Sequence, residues 1–481
     1  MNRPPLLRLF PPLLCALVLA ALGCASTGRV QQKLEEQMKL GDYPTAIQTV
    51  EQERDGAYRG KNRLLYYLER GMLLHFAGQY AESNAAFETA KQVGNDLYAA
   101  SVSGTGLSLM TNDYALDYAG ENFERTLIHL FSALNYEQLG EIDSALVEIR
   151  QVGDYLRKLQ VDSTNDNVYQ EDAFARYLGA LFYELGGEYD AALVDYKKAL
   201  DAYETYAAAF AVPRPPSLFA NAERVAGRLG RWARDDLRAK GSSGVAREIP
   251  SGHGEIVILH YNGLAPIKDQ ETIVLPFNEA WALVLALQLV GDDDAQRQIA
   301  QATSYVSMVS GVDVVPVAFP RYVSRPYAIA AMEPRLAGAT QITGPELVED
   351  IGAIAEKDLA DRRARIYAKA VARAAIKYAI QKGAEEAARQ ASNGDQNQAM
   401  LVAGTQLLGT IGRFATEQAD KRVWSTLPDE IWMTSMIVPA GRHDLEVDFL
   451  TAQSMLVESR SVPGIEVPAG GRRFVILRTV K

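Results

Sequence analysis

The sequence predicts an α+β protein: N-terminal all-α helical repeats, then a C-terminal mixed domain with a small β-sheet or sandwich and a long helical insert. Three observations predict it. A glycine-centred pattern with helical spacing recurs four times before residue 210. The run AVPRPPS at 211–217 cannot continue a helix, because its prolines lack the N–H and restrict the residues before them. Beyond residue 254 the apolar period changes to short runs bounded by Gly and Pro, interrupted by one long helical stretch.

Residues 1–23 have the pattern of a secretory signal peptide. Arg3 and Arg8 precede the apolar run Leu13 to Gly23, LLCALVLAALG. That run is shorter than the about 20 apolar residues needed to span a bilayer. Ala21-Leu22-Gly23-Cys24 resembles a bacterial lipobox. The resemblance implies that the Cys24 sulfur carries a diacylglyceryl group and that the processed chain is a palmitate-type lipoprotein. Cys15 would leave with the leader, so the mature chain could form no disulfide and hold no cysteine-based zinc site. By resemblance to lipoprotein sorting, Ala25 in place of Asp after the cysteine implies the outer membrane, facing the periplasm. The formal charge of −11 argues against nucleic-acid binding and against electrostatic attachment to anionic lipid. Anchoring then falls to acyl chains, at roughly 0.8 kcal/mol per buried methylene. No cofactor is expected beyond the covalent lipid on Cys24.

Residues 24–210 carry the repeats. Each copy has a Gly between two helices, an apolar residue two on, a small residue five on and a bulky one nine on. The copies are Gly41-Tyr43-Ala46-Val50, Gly78-Tyr80-Ser83-Phe87, Gly140-Ile142-Ala145-Ile149 and Gly187-Tyr189-Ala192-Tyr196. Leu34, Gly71, Ala133 and Ala180 lie seven before each Gly, and Gln37, Leu74, Tyr136 and Tyr183 four before. Gly ends the first helix without a Cβ clash, small residues let antiparallel helices approach, and aromatics fill the space between hairpins. The pattern resembles the tetratricopeptide repeat, with divergent spacing and an insertion at 102–120. That resemblance implies a concave face for peptides or partner helices. Arg70, Arg125, His129, Glu137, Arg150 and Arg176 could line it or be ordinary solvated helix residues.

Residues 211–254 are expected to form a Pro/Gly/Ser hinge with a basic helix, Leu218 to Lys240. Residues 255–345 begin with a strand, Glu255 to Tyr261, and the turn dipeptide Asn262-Gly263. Thr272 to Phe277 and Val312 to Val323 also read as extended. Residues 346–418 form the helical insert. Its first helix, Glu346 to about Gln390, places Tyr367, Val371, Ala374 and Tyr378 on one face and Arg362, Arg363, Arg365, Lys369, Arg373 and Lys377 on the other. Ala399 to Ala415 forms a second apolar helix, suited to packing inside the protein or to docking on a membrane or partner. Residues 419–481 supply strands at Ile431 to Val438, Asp444 to Leu450 and Arg472 to Val480.

Three runs carry a second resemblance: Glu121 to Tyr136, ENFERTLIHLFSALNY; Asn262 to Lys268, NGLAPIK; and Asp420 to Asp429, DKRVWSTLPD. They resemble a family of tetratricopeptide-containing bacterial envelope lipoproteins without a settled biochemical function. The resemblance implies work near peptidoglycan or outer-membrane assembly and supplies no catalytic residues. Trp424 is read as packing where the chain re-enters the strand domain, with Asp420 capping or pairing locally.

The motifs of chemistry are absent. His75, His129, His253, His260 and His443 form no metal-spaced pair, and no G-x-S-x-G, Walker A or G-x-G-x-x-G is present. Gly104-Thr-Gly106 and Asp292-Asp-Asp294 are fragments of binding motifs only. The expected function is therefore non-enzymatic: a lipid-anchored scaffold or adaptor that binds envelope proteins or peptides. Two alternatives stay open, an accessory of an envelope transport or secretion system and an enzyme on cell-wall polymers working around Tyr261, Asn262 and Lys268.

Overall fold

The computed structural model describes residues 26–103, 114, 116–162, 169–276, 314–339, 341–391 and 418–481. The leader with Cys24, the runs 104–106 and 292–294 and the apolar stretch 399–415 lie outside the described residues.

Helical hairpins follow one another along the first half. They pair α1 (Ser26–Lys39) with α2 (Tyr43–Gln52), α3 (Arg63–Phe76) with α4 (Tyr80–Ser103), α5 (Asn122–Gln138) with α6 (Ile142–Asp162), and α7 (Ala173–Leu185) with α8 (Tyr189–Ala209). Gly41, Gly78, Gly140 and Gly187 end the first helix of each pair at φ of 70°, 72°, 78° and 76°. All four turns close with the same two bonds, the Schellman pattern. At the last, Gly187 N donates to Glu184 O (3.1 Å) and Glu188 N to Tyr183 O (2.8 Å). The position four before the glycine thus works through its carbonyl, which is why Gln37 can stand where Leu74, Tyr136 and Tyr183 stand in the other copies. Ala46, Ser83, Ala145 and Ala192 are fully buried, as are Ala133 and Ala180 across from them. A Cβ on Gly71 would meet the Phe87 ring at 2.5 Å. Phe87 and Tyr196 are buried, whereas Tyr136 and Tyr183 are half-buried at the hairpin surface.

The segment read as a hinge is packed. It forms α9 (Pro216–Leu229) and α10 (Arg231–Ala239), which continue the stack against α8, with Ala222, Val225, Ala226, Ala233 and Leu237 fully buried. The prolines start α9 here, a position where the missing N–H has no helical partner to lose.

The second half supplies β1 (His253–Asn262), β2 (Leu264–Pro276), β3 (Val314–Arg325), β4 (Ala331–Arg335), β5 (Gln341–Ile342), β6 (Glu346–Asp350), β7 (Glu430–Pro439), β8 (Gly441–Leu450), β9 (Leu456–Val467) and β10 (Arg472–Thr479). The main sheet runs β10-β1-β7, with the short β5 and β6 on the far side of β7. β1 and β10 are parallel, Glu255 opposite Arg472 and Asn262 opposite Thr479, so strands from both sides of the long helix share one sheet. A second sheet runs β4-β8-β9, and β2 pairs with β3 as a ribbon. Glu346–Asp350, read as the start of the long helix, is strand β6, and α11 (Ile351–Ala391) begins after it. At 1.5 Å per residue, α11 is about 60 Å long. Asn262-Gly263 makes a corner between sheets, not a hairpin, because β1 and β2 pair with different partners.

The result is three layers. Alternation along β1 sends Val257, Leu259 and Tyr261 into one core with the helices, and Ile256 and Ile258 into another with β8.

Candidate functional site: the seam between the repeats and the strand domain

The inner side of the repeats is occupied by the chain's own second half. Glu69 on α3 is 1% exposed and accepts hydrogen bonds from Ser425 N (3.0 Å), Ser425 Oγ (2.7 Å) and Thr426 N (3.1 Å). Glu124 on α5 accepts from Trp424 N (2.8 Å) with one oxygen, and from the Tyr118 hydroxyl (2.6 Å) and Glu121 N (2.8 Å) with the other. Two carboxylates from neighbouring hairpins therefore hold the backbone N–H groups of three consecutive residues, 424–426, and the Ser425 hydroxyl, where the chain enters a turn. The Trp424 ring meets both Phe87 (5.8 Å) and Phe131 (6.0 Å) edge to face, those two rings stacking on each other at 6.4 Å, and its indole N–H donates to Thr426 Oγ1 (3.0 Å). Asp420 pairs with Arg422 at 2.8 Å.

The three runs singled out by resemblance meet here. Glu121 pairs with Lys268 and with Arg362 (2.7 Å). Ala265 N donates to Leu427 O (2.9 Å) and Asp429 N to Asn262 O (3.0 Å). Burial pushes the Glu121 carboxyl up, but Lys268 and Arg362 outweigh it and hold the group at about 2. For Glu124 burial wins, helped by the Glu121 charge, and its pKa rises to about 7.

A second ionic knot closes the other end. Arg224 on α9 makes a bidentate pair with Glu184 (2.7 and 2.9 Å), and Arg472 on β10 bonds Glu255 (2.7 Å) and Glu184 (3.1 Å). Arg247 bonds the other Glu255 oxygen (2.6 Å). Between the knots, the C-terminal end of α5 covers the outer edge of β10: Gln138 Nε2 donates to Phe474 O at 2.8 Å, and the Phe474 N–H faces Glu137. This covers part of an edge that would otherwise present unpaired backbone groups.

The residues considered for an open concave face are engaged locally. Arg70 meets Glu51, Arg125 meets Asn95, His129 meets Glu148, Arg150 meets Glu188, Arg176 meets Glu171 and Asp195, and Glu137 is buried near Arg473. Tyr261, Asn262 and Lys268 do not converge on one cleft. Lys268 is held by Glu121, Asn262 bonds Ile329 O, and Tyr261 lies against Phe76 and Phe131. A separate groove of about 270 Å³ runs between α11 and the β2–β3 ribbon, lined by Phe319, Tyr322, Leu359, Ile366 and Tyr367 with Glu356 and Arg363. Glu69 and Glu184 were not legible as site residues. Their one signal is a carboxylate inside an otherwise apolar helix, LLYYLERGMLL and ALFYELG.

No protein-family model matches the sequence, and no curated protein matches it at a significant level. Among solved structures, the chain is similar to BtubC from P. vanneervenii at 14% identity, covering 44% of this chain and 72% of that one, with a TM-score of 0.30. It is similar to the apo form of RapI at 12% identity, 58% and 82% coverage and a TM-score of 0.30. A tetratricopeptide repeat protein from Parabacteroides merdae matches at 14% identity, 46% and 94% coverage and a TM-score of 0.16. At such scores nothing about ligand, partner or compartment follows from these likenesses. The α+β architecture, with N-terminal hairpins of tetratricopeptide type, stands on the chain's own turns and packing.

Proposed function

We propose that this chain is a lipid-anchored, periplasm-facing scaffold of the outer membrane that binds other envelope proteins, without catalysis, cofactor or nucleic-acid partner. What supports the reading is the combination of Cys24 in its lipobox-like setting with a repeat stack fused to a strand domain. The seam adds a constraint. Because Trp424 and its neighbours occupy the inner face, partners meet the outer helices or the groove between α11 and the β2–β3 ribbon. That groove joins apolar Phe319, Leu359 and Ile366 to the charges of Glu356 and Arg363, the mix of an apolar centre and polar rim found in protein interfaces.

Two measurements test this. Cys24→Ser should move the protein from the membrane fraction to the soluble periplasmic fraction and abolish palmitate labelling; a labelled, membrane-bound variant would overturn the anchor. A photo-crosslinking residue at Ile366 should trap one reproducible envelope protein that a residue at the exposed Val161 on α6 does not. Equal trapping at both positions would overturn the groove as the contact surface.

A further inference from the structure

A buried cation on the seam makes no ion pair with a carboxylate among the described residues. Arg478 on β10 is 4% exposed. Arg176, Arg224, Arg247 and Arg472, buried like it, each meet a carboxylate at 2.6–2.7 Å. Arg478 instead spends its Nη1 on the carbonyls of Tyr261 (3.0 Å) and Thr479 (2.6 Å). Its Nε and Nη2, the pair of donors that forms the side-on fork of a guanidinium, are buried without a hydrogen-bond partner among the described residues. Burial is the main reason its pKa is held down to about 9; the Tyr43 phenol opposes it, Arg325 and Arg460 add to it, and the more distant Asp429 carboxylate opposes it least.

Aromatic side chains surround the guanidinium. Tyr261 lies directly across the parallel ladder from Arg478, and its hydroxyl is also buried and unpartnered. Phe76 touches both, 5.2 Å from the guanidinium and 6.2 Å from the Tyr261 ring. Tyr43, half-buried, packs on Phe76 at 5.7 Å and feels the charges of Arg478 and Arg460. A buried charge without a partner is strongly unfavourable, and an anion in the fork removes that penalty.

We infer that Arg478 and Tyr261 form a binding site for an oxyanion ligand, a carboxylate or phosphate. Two of its oxygens take the Arg478 Nε–H and Nη2–H, and the Tyr261 hydroxyl donates a third bond. Phe76 and Tyr43 flank the ligand's body, which favours an attached apolar or aromatic group. The site is independent of the partner-binding reading above.

The test is titration of the full chain with benzoate and, separately, with inorganic phosphate, each against chloride at equal ionic strength, followed by calorimetry and melting temperature. At least one oxyanion should bind saturably and raise the melting temperature. Benzoate alone assigns a carboxylate ligand, phosphate alone a phosphate, and both together the shared chemistry. Arg478→Lys keeps the charge without the fork and should weaken binding about tenfold. Tyr261→Phe should weaken it several-fold with the fold intact, and Arg478→Met should abolish it. If Arg478→Met fails to fold, the other two variants decide. No saturable binding by either oxyanion, or equal binding by Arg478→Lys and Tyr261→Phe, would overturn the site.

Discussion

Glu124 illustrates what one carboxylate does at the seam. It sits in the apolar helix α5 and serves both halves, accepting from Trp424 N on one side and from Tyr118 and Glu121 N on the other. Burial, reinforced by Glu121, raises its pKa from 4.5 to about 7. Between those values the folded chain holds a proton that the unfolded chain has released. The stability contributed by this group is therefore complete below pH 4.5 and is lost as pH rises through 7. Glu184 has the opposite sign. Burial pushes it up, but Arg472 and Arg224 outweigh burial and hold it at about 2, so its contribution is complete above pH 4.5 and lost as pH falls toward 2. Glu124→Gln should lessen the fall of the melting temperature between about pH 5 and about pH 8, with the rest kept by Asp172, Asp350 and Asp429, which burial also raises, and should leave the acid limb in place. Thermal unfolding across that range measures this, and an unchanged slope would show that Glu124 does not titrate there.

At the scale of elements, the hairpin turns were the most legible part of the chain. Gly187 adopts φ of 76° because the Schellman turn demands it, and a Cβ there meets no neighbouring atom. Gly187→Ala should therefore cost only the backbone strain, about 1–2 kcal/mol in denaturant unfolding, and Gly187→Asn less. Gly71→Ala differs in mechanism, since its Cβ would enter the Phe87 ring, and should cost more. A larger loss for Gly187→Ala than for Gly71→Ala would contradict this division. Elsewhere the local signals carry less. The prolines at 213, 215 and 216 do break the helix, with 211–215 outside any element, but the break is not a free hinge, because Pro216 opens helix α9, which packs on α8. Strand β9 contains Pro463-Gly464, a dipeptide that locally favours a turn; its place on a sheet edge tolerates both. Glu346–Asp350 precedes a helix without a break in polarity, and only its pairing with β7 makes it a strand.

Over the whole molecule, the seam joins two apparent domains through one core. Its bonds join residues 356 and 300 positions apart, Glu69 with Ser425 and Glu124 with Trp424, so no local window of sequence contains them. One continuous apolar core runs from Val30 on α1 to Val480 beyond β10, through Phe87, Phe131, Tyr261 and Trp424. If that core is the unit of stability, the repeats and the main sheet unfold together. Trp424→Ala removes the ring packed against the Phe87–Phe131 stack and should cost about 3–5 kcal/mol, the usual range for a buried aromatic truncated to Ala. Hydrogen exchange gives the sharper reading. Amides of α3 and α5 in the repeats and of β1 in the sheet should lose protection in parallel in the variant, because each faces the vacated space or the segment that carries it. Faster exchange confined to the strand domain, with α3 and α5 unchanged, would mean that the repeats hold their shape alone. Their inner face would then be a groove that the Trp424 segment can vacate.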